Sequence, residues 1–235
     1  GCTYERTYDV IGWHKHTTQG TILSVGSADV NGSSIPVHAV VRDAAQVVFE
    51  VEDKTNYMDS NLEVVPTGAL VISLPHLPNA KIQVTVGGAV HPEVQLDGSG
   101  DGTLNYTTDP ARPQDVVVAG LGYTSRIETL PLDYLGYGRV GTSAHFMKRW
   151  NKIYVRVLDS AKPLIGKVGD TERPPARTPS TPMDLPQPVI SDDVKVLNRG
   201  WDRFSQVFIE QDLPLPLTIT GIFGELTQYV DEGGN

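Results

Sequence analysis

His14 and His16 are separated by one residue and follow Trp13 in the stretch Gly12-Trp13-His14-Lys15-His16-Thr17-Thr18-Gln19-Gly20. Two imidazoles on one strand face can share a divalent metal. A strand over residues 7–16 puts Val10, His14 and His16 on one face and Ile11, Trp13 and Lys15 on the other. A zinc site needs a third and usually a fourth ligand at short spacing. Asp9 falls on the opposite face, Cys2 is the only cysteine, and His38, His76, His91 and His145 are scattered singly. The expectation is therefore no metal and no cofactor. Trp13 anchors a sheet face, residues 17–20 turn, and residues 21–25 return as the second strand of a hairpin.

Other chemistry-bearing patterns fail at a defined residue. Asp97-Gly98-Ser99-Gly100-Asp101-Gly102 starts like a calcium loop, but Thr108 stands where a bidentate glutamate should close it, so a Gly/Asp turn is expected. Gly141-Thr142-Ser143-Ala144-His145 departs from Gly-x-Ser-x-Gly and follows no strand-turn-helix elbow. Asp192-Asp193 reads as a solvated turn and Asp231-Glu232 as a solvated tail, and no phosphate loop or dinucleotide fingerprint is present. Asn31-Gly32-Ser33 and Asn105-Tyr106-Thr107 match a glycosylation triplet, which carries weight only in a secreted chain. No catalytic residue is expected, and the chain reads as a non-enzyme.

The elements that position these residues are short strands. With 23 glycines and 17 prolines among 235 residues, and many Val, Ile and Thr clusters, the composition favours strands and turns over helices. Residues 1–57 read as a β-meander resembling a propeller blade, with strands near 8–16, 21–27, 37–42 and 47–52. Residues 58–119 read as a small β barrel or sandwich, with strands near 70–72, 81–86, 93–96, 103–106 and 115–119 and a turn at Gly87-Gly88. Residues 120–235 read as a C-terminal β domain. It holds one short helix over 142–150, where Phe146 and Trp150 share a face, a strand over 152–158, and a final strand over 225–230. Within it, 163–190 reads as a proline-rich arm. Six prolines, Pro174, Pro175, Pro179, Pro182, Pro186 and Pro188, mark an extended segment of the kind that wraps a partner. The fold class is thus all-β, as several small modules with at most one short helix.

A formal charge of −9 argues against tight nucleic-acid binding, which draws on clustered Lys and Arg. It is compatible with a conduit in which DNA must slide. One cysteine rules out an intramolecular disulfide framework and fits a reducing compartment. No signal-peptide pattern or membrane-length apolar run is visible, and Gly1 in first position suggests an excised or processed chain.

The order of the motifs resembles the later part of the tail nozzle, or tail tubular protein B, family of short-tailed bacteriophages. The resemblance rests on Tyr4, then Asp9-Val10-Ile11-Gly12-Trp13-His14-Lys15-His16 with Gly20. Leu74-Pro75-His76-Leu77 follows, then Val118-Ala119-Gly120-Leu121-Gly122-Tyr123-Thr124-Ser125 with Thr129-Leu130-Pro131, and last Pro214-Leu215-Pro216-Leu217-Thr218-Ile219. It implies a structural virion protein that is assembled in the host cytoplasm. Copies would form a six-fold ring that continues the DNA-ejection conduit, joins a tail adaptor protein and carries fibres or spikes. Double-stranded DNA would pass without specific binding, and there would be no membrane insertion. It also implies packing roles for Gly12, Trp13, His16, Tyr123, Pro214 and Pro216, and a subunit interface at the six arm prolines. A carbohydrate- or receptor-binding β module of a tail is the alternative, with Trp13, Trp150 and Trp201 as candidate exposed rings. A β-rich hydrolase would need two carboxylates clustered in a cleft.

Overall fold

The computed structural model describes residues 2–5, 10–13, 18, 20–30, 33–42, 46–52, 55–64, 70–105, 116–133, 144, 146–167, 169–176, 185–197 and 200–229. The protein is all-β, with no helix among those residues, and it divides into two compact units, Gly1–Thr55 and Asn56–Asn235.

In the first unit, β1 (Cys2–Glu5) and β2 (Val10–Trp13) form an antiparallel hairpin that sets Cys2 opposite Trp13 and Thr3 opposite Gly12. The strands β3 (Thr21–Val30), β4 (Ser33–Arg42) and β5 (Gln46–Val51) form a separate three-stranded meander. The sequence expectation of a hairpin between residues 7–16 and 21–25 is corrected here. Val10–Trp13 pairs backward with β1, and β3 pairs forward with β4 from Thr21 opposite Val41 to Val30 opposite Ser33. Two ten-residue strands joined across a two-residue Asn-Gly connection form a long ladder at little loop-closure cost, and that outcompetes the short pairing with β2.

The second unit contains two hydrophobic cores. The first lies between the sheet β6 (Asp59–Val64), β11 (Val117–Leu121), β8 (Lys81–Val86) and β9 (Ala89–Gln95) and the pair β7 (Val71–Ser73) and β10 (Asp101–Thr103). Alternate residues point inward: Ile82 and Val84 of β8 and Val117 and Ala119 of β11 meet Ile72, Leu74 and Leu96. Gly87 and Gly88 join β8 to β9 with φ of 54° and 81°, the left-handed pair that a two-residue hairpin of matching twist demands.

The second core is a sandwich. One sheet orders β12 (Ser125–Glu128), β17 (Phe208–Gln211), β14 (Leu164–Lys167) and β15 (Asp170–Glu172); the other orders β16 (Asp193–Leu197), β13 (Lys148–Val157) and β18 (Ile219–Gln228). Ile153, Val155 and Val157 of β13 face Ile165 and Ile209 of the opposite sheet, with Val194 and Val196 beside them.

Two further expectations give way in this sandwich. The helix over 142–150 is absent from the described residues there, and β13 begins at Lys148. Phe146 and Trp150 are four apart, a spacing that shares a face in a helix and in a strand alike. Tertiary pairing decides: Lys148 and Trp150 register with Gln228 and Leu226 of β18, and the Trp150 Nε1–H donates to the Ser205 carbonyl at 2.8 Å. The arm is also shorter than 163–190, because residues 164–172 are the hairpin β14–β15 with Ile165 fully buried. Val, Ile and aromatic residues are sparse in this hairpin, so its period of two was weak in the sequence.

Candidate interaction surface and inter-core cleft

An aromatic and arginine cluster forms where β13 and β18 end. Antiparallel bonding continues past the strands: Tyr229 N–H donates to the Met147 carbonyl at 2.8 Å, and Lys148 and Asp202 exchange two backbone bonds of 2.8 Å each. These bonds bring three chain segments together. Trp201 and Tyr229 meet with ring centroids 6.2 Å apart and planes at 81°, and the Arg149 guanidinium lies 5.0 Å from the Trp201 ring centre. Arg149 is oriented by Asn151 Oδ1 at 3.2 Å, and Asn151 in turn donates to Thr227 Oγ1 at 2.7 Å. Trp201 and Tyr229 remain 40% and 56% exposed, and Met147, whose carbonyl accepts from Tyr229, is exposed as well. The support beneath is rigid. Lys148 is 1% exposed, its ammonium donates to the Arg203 carbonyl at 2.8 Å, and Ser205 Oγ donates to the Asp202 carbonyl at 3.2 Å. Perpendicular exposed rings with a stacked arginine have the composition of a binding hot spot.

An open cleft of about 630 Å³ lies between the two cores of the second unit. It is lined by Lys81, Gln83, His91 and Glu93 from β8 and β9, Tyr123 from the β11–β12 connection, and Asp212 after β17. Gln83 Nε2 donates to the Asp212 carbonyl at 3.0 Å and ties one core to the other. Gly122 leaves room for the Gln83 amide, since a Cβ at that position would sit 2.3 Å from Gln83 Cδ and push that side chain away from Asp212. Burial, then the negative field of Asp59 and then Tyr57, raise the Tyr123 phenol above its ordinary range, so it stays a neutral donor at physiological pH. Glu93 pairs with Lys81, and Asp212 pairs with Arg173. The two carboxylates of the cleft are thus each held by a cation of their own core.

The outward face of the β16–β13–β18 sheet is a cross-strand ladder. Arg156 forks onto Asp193 at 2.8 and 3.0 Å, Lys152 meets Glu225 at 2.7 Å, and Tyr154 stacks on Phe223 at 5.6 Å with Arg156 over the same ring at 5.1 Å. The bond from Arg156 holds the Asp193 carboxyl below its usual range, and Asp193 raises Arg156 in return. The Glu225 bond likewise raises Lys152. Asp193, read from sequence as a solvated turn, is a strand residue. In the first unit, Val47, Phe49 and Val51 of β5 form an exposed row on the face shared with Val37, Ala39 and Val41.

The remaining residues singled out from sequence fall in several places. Asp97 closes its Gly/Asp turn: its Oδ1 accepts from Ser99 N at 2.8 Å and Asp101 N at 2.9 Å. The Asp101 and Ser99 amides lower its carboxyl, against a weaker opposing effect of burial. Pro174 is buried; Pro175 is exposed and its carbonyl accepts from Lys162 at 2.6 Å; Pro186 and Pro188 are exposed. Pro179, Pro182, His14 and His16 lie outside the described residues. Gly12 and Trp13 end β2, Tyr123 lines the cleft, Pro214 is buried, and the Pro216 carbonyl accepts from Ala161 N at 2.9 Å. Of the three tryptophans, Trp150 packs on the second core while Trp201 is exposed. Among the described residues no group of three or more His, Cys, Asp or Glu is placed to hold one metal ion. Sequence reading missed the aromatic cluster because Met147, Arg149, Trp201 and Tyr229 are joined only by strand pairing across about 80 residues. No protein-family model matches the chain, and no curated protein sequence matches it.

Proposed function

We propose that the chain is a structural assembly module of the kind found in the tail nozzle of short-tailed bacteriophages. Copies associate in a six-fold ring that continues the conduit for DNA ejection, joins a tail adaptor protein and carries fibres or spikes. The observation that supports this reading best is the Trp201, Tyr229, Arg149 and Met147 surface, an exposed apolar patch on a sandwich edge. Closed rings use two different faces of each subunit, so a prominent patch on one edge is what such assembly requires. Negative-stain microscopy and mass photometry of the purified chain test the proposal. Rings of uniform size are expected, and a chain that stays monomeric at high micromolar concentration would refute it.

A carbohydrate- or receptor-binding role is the second reading, favoured by the same Trp201 ring, which is 40% exposed. Glycan-array binding that disappears in Trp201→Ala and persists in Trp150→Phe is its expected signature.

A further inference from the structure

We infer that the outer edge of β5 pairs with the β5 edge of a second copy of this chain, antiparallel and about a two-fold axis at Phe49, so that two three-stranded sheets join into one. The inference goes beyond the ring reading above and does not rest on it. An isologous contact cannot repeat around a polar ring, so it joins two rings or two free chains.

Among the described residues β5 ends its sheet, with β4 on one side and no strand on the other. Its bonding phase is set by Glu52, whose N–H donates to the Pro36 carbonyl at 3.2 Å one step beyond the Val51–Val37 pair. Alternation along an antiparallel strand then directs the backbone groups of Val48 and Glu50 to β4 and those of Val47, Phe49 and Val51 to the open edge. The side chains of the same three residues are 52%, 74% and 54% exposed. An edge of this kind is a template for another strand. Other edges are blunted. Pro92 and a register shift interrupt β9, β15 is only Asp170–Glu172, β16 carries Lys195, and β3, across the same sheet, has a register shift after Ile22 and a glycine at 26.

The residues of β5 also select the partner and the register. Val47-Val48-Phe49-Glu50-Val51 has an apolar residue at each edge-facing position, placed symmetrically about Phe49. Pairing centred there sets Val47 against the partner's Val51 and Phe49 against the partner's Phe49, with two backbone bonds per pair and about six in all. Centring on Glu50 opposes two glutamates, and centring on Val48 carries Val51 past the end of the partner's strand; either shift forfeits about two bonds. In the Phe49 register Glu50 lies opposite the partner's Val48, on the face where its carboxylate accepts from Thr18 Oγ1 at 3.3 Å.

Sedimentation velocity and disulfide trapping test the contact. Wild type is expected to sediment with twice the mass of a Phe49→Lys variant, as dimer against monomer or as paired rings against single rings, since a lysine there charges the edge and leaves the β4 ladder intact. Val25→Lys, at an exposed position of the β3 edge, should leave the mass unchanged. In a Cys2→Ser background with mild oxidant, the double variant Val47→Cys, Val51→Cys should form a covalent dimer. Position 47 of one copy lies opposite position 51 of the other, at about 5.5 Å between Cα atoms and within disulfide reach. Neither single variant should be trapped, because like positions are about 13 Å apart along the strands. Equal mass for wild type and Phe49→Lys, or trapping of a single variant as efficient as of the double, overturns the inference. Single rings that Phe49→Lys leaves intact would keep the ring reading and remove this one, and a simple dimer halved by Phe49→Lys would do the reverse. Wild type that never associates overturns both.

Discussion

Ile127, Ile209 and Ile165 form one registered row across three strands of the same sheet, which makes them a controlled comparison of burial at constant chemistry. Ile209 and Ile165 are completely buried and Ile127 is 46% exposed at the sheet edge. Ile209→Ala removes three carbons, about 2.4 kcal/mol at ~0.8 kcal/mol each. The cavity adds roughly 1.5 kcal/mol if about 60 Å³ stays unfilled at ~24 cal/mol per Å³. The expected loss is about 4 kcal/mol at Ile209, a similar loss at Ile165, and about 1 kcal/mol at Ile127, where half the side chain already meets water and no closed cavity forms. With a urea slope of about 2 kcal/mol per M, the midpoint falls by ~2 M for the buried pair and ~0.5 M for the edge residue. Trp150 packs against this core, so its fluorescence reports the transition. Equal midpoint shifts for Ile127→Ala and Ile209→Ala at unchanged slope would show that the two sheets do not enclose a common core along this row.

Other consequences of the geometry are equally direct. Trp150→Phe leaves the Ser205 carbonyl without its indole donor and should cost about 1–2 kcal/mol in the same urea assay, whereas Trp201→Ala, at an exposed site, should cost under about 1 kcal/mol while weakening self-association. Gly100→Ala should be severely destabilising, since φ is +83° and the new Cβ would lie 2.3 Å from the Leu74 carbonyl oxygen; a lowered thermal midpoint for the first core checks it. Asp97 has a depressed folded-state pKa, so its contribution is fully present above the ordinary aspartate range and is lost as pH falls through the lower folded value. Wild type should therefore lose more stability than Asp97→Asn on the acid limb, and an NMR titration of the Asp97 carboxyl should give a midpoint below that of an unstructured aspartate.

Strong alternation made part of the fold legible from sequence. Lys81–Val86 was read at its true boundaries, with its Gly87-Gly88 turn, because Ile82 and Val84 alternate with polar neighbours and the glycines supply positive φ. Asp59–Val64 went unread: its Asp, Ser, Asn and Glu give little strand signal, and it is a strand only because it registers with β11. Asp193–Leu197 does alternate, but five residues after a proline-rich stretch gave too short a window to read. The exposed corner was illegible for another reason. No local pattern records that a tryptophan after Gly200 will meet an arginine of β13 and a tyrosine beyond β18. That knowledge lies in the register of two antiparallel pairings, which sequence spacing alone does not encode.

The chain leaves β11 in the first core at Leu121 and enters β12 on the edge of the second at Ser125, with only Gly122, Tyr123 and Thr124 between. Three residues are too few to act as a slack tether, and the Gln83–Asp212 bond braces the same junction. A pull on one core is therefore handed to the other almost at once, through a taut peptide loaded in series with a hydrogen-bonded strut. Such a joint behaves as a stiff coupling between the two cores. Stretched between its ends, the second unit should give way by peeling β12 from β17 before either core ruptures, a low-force event ahead of the main peaks.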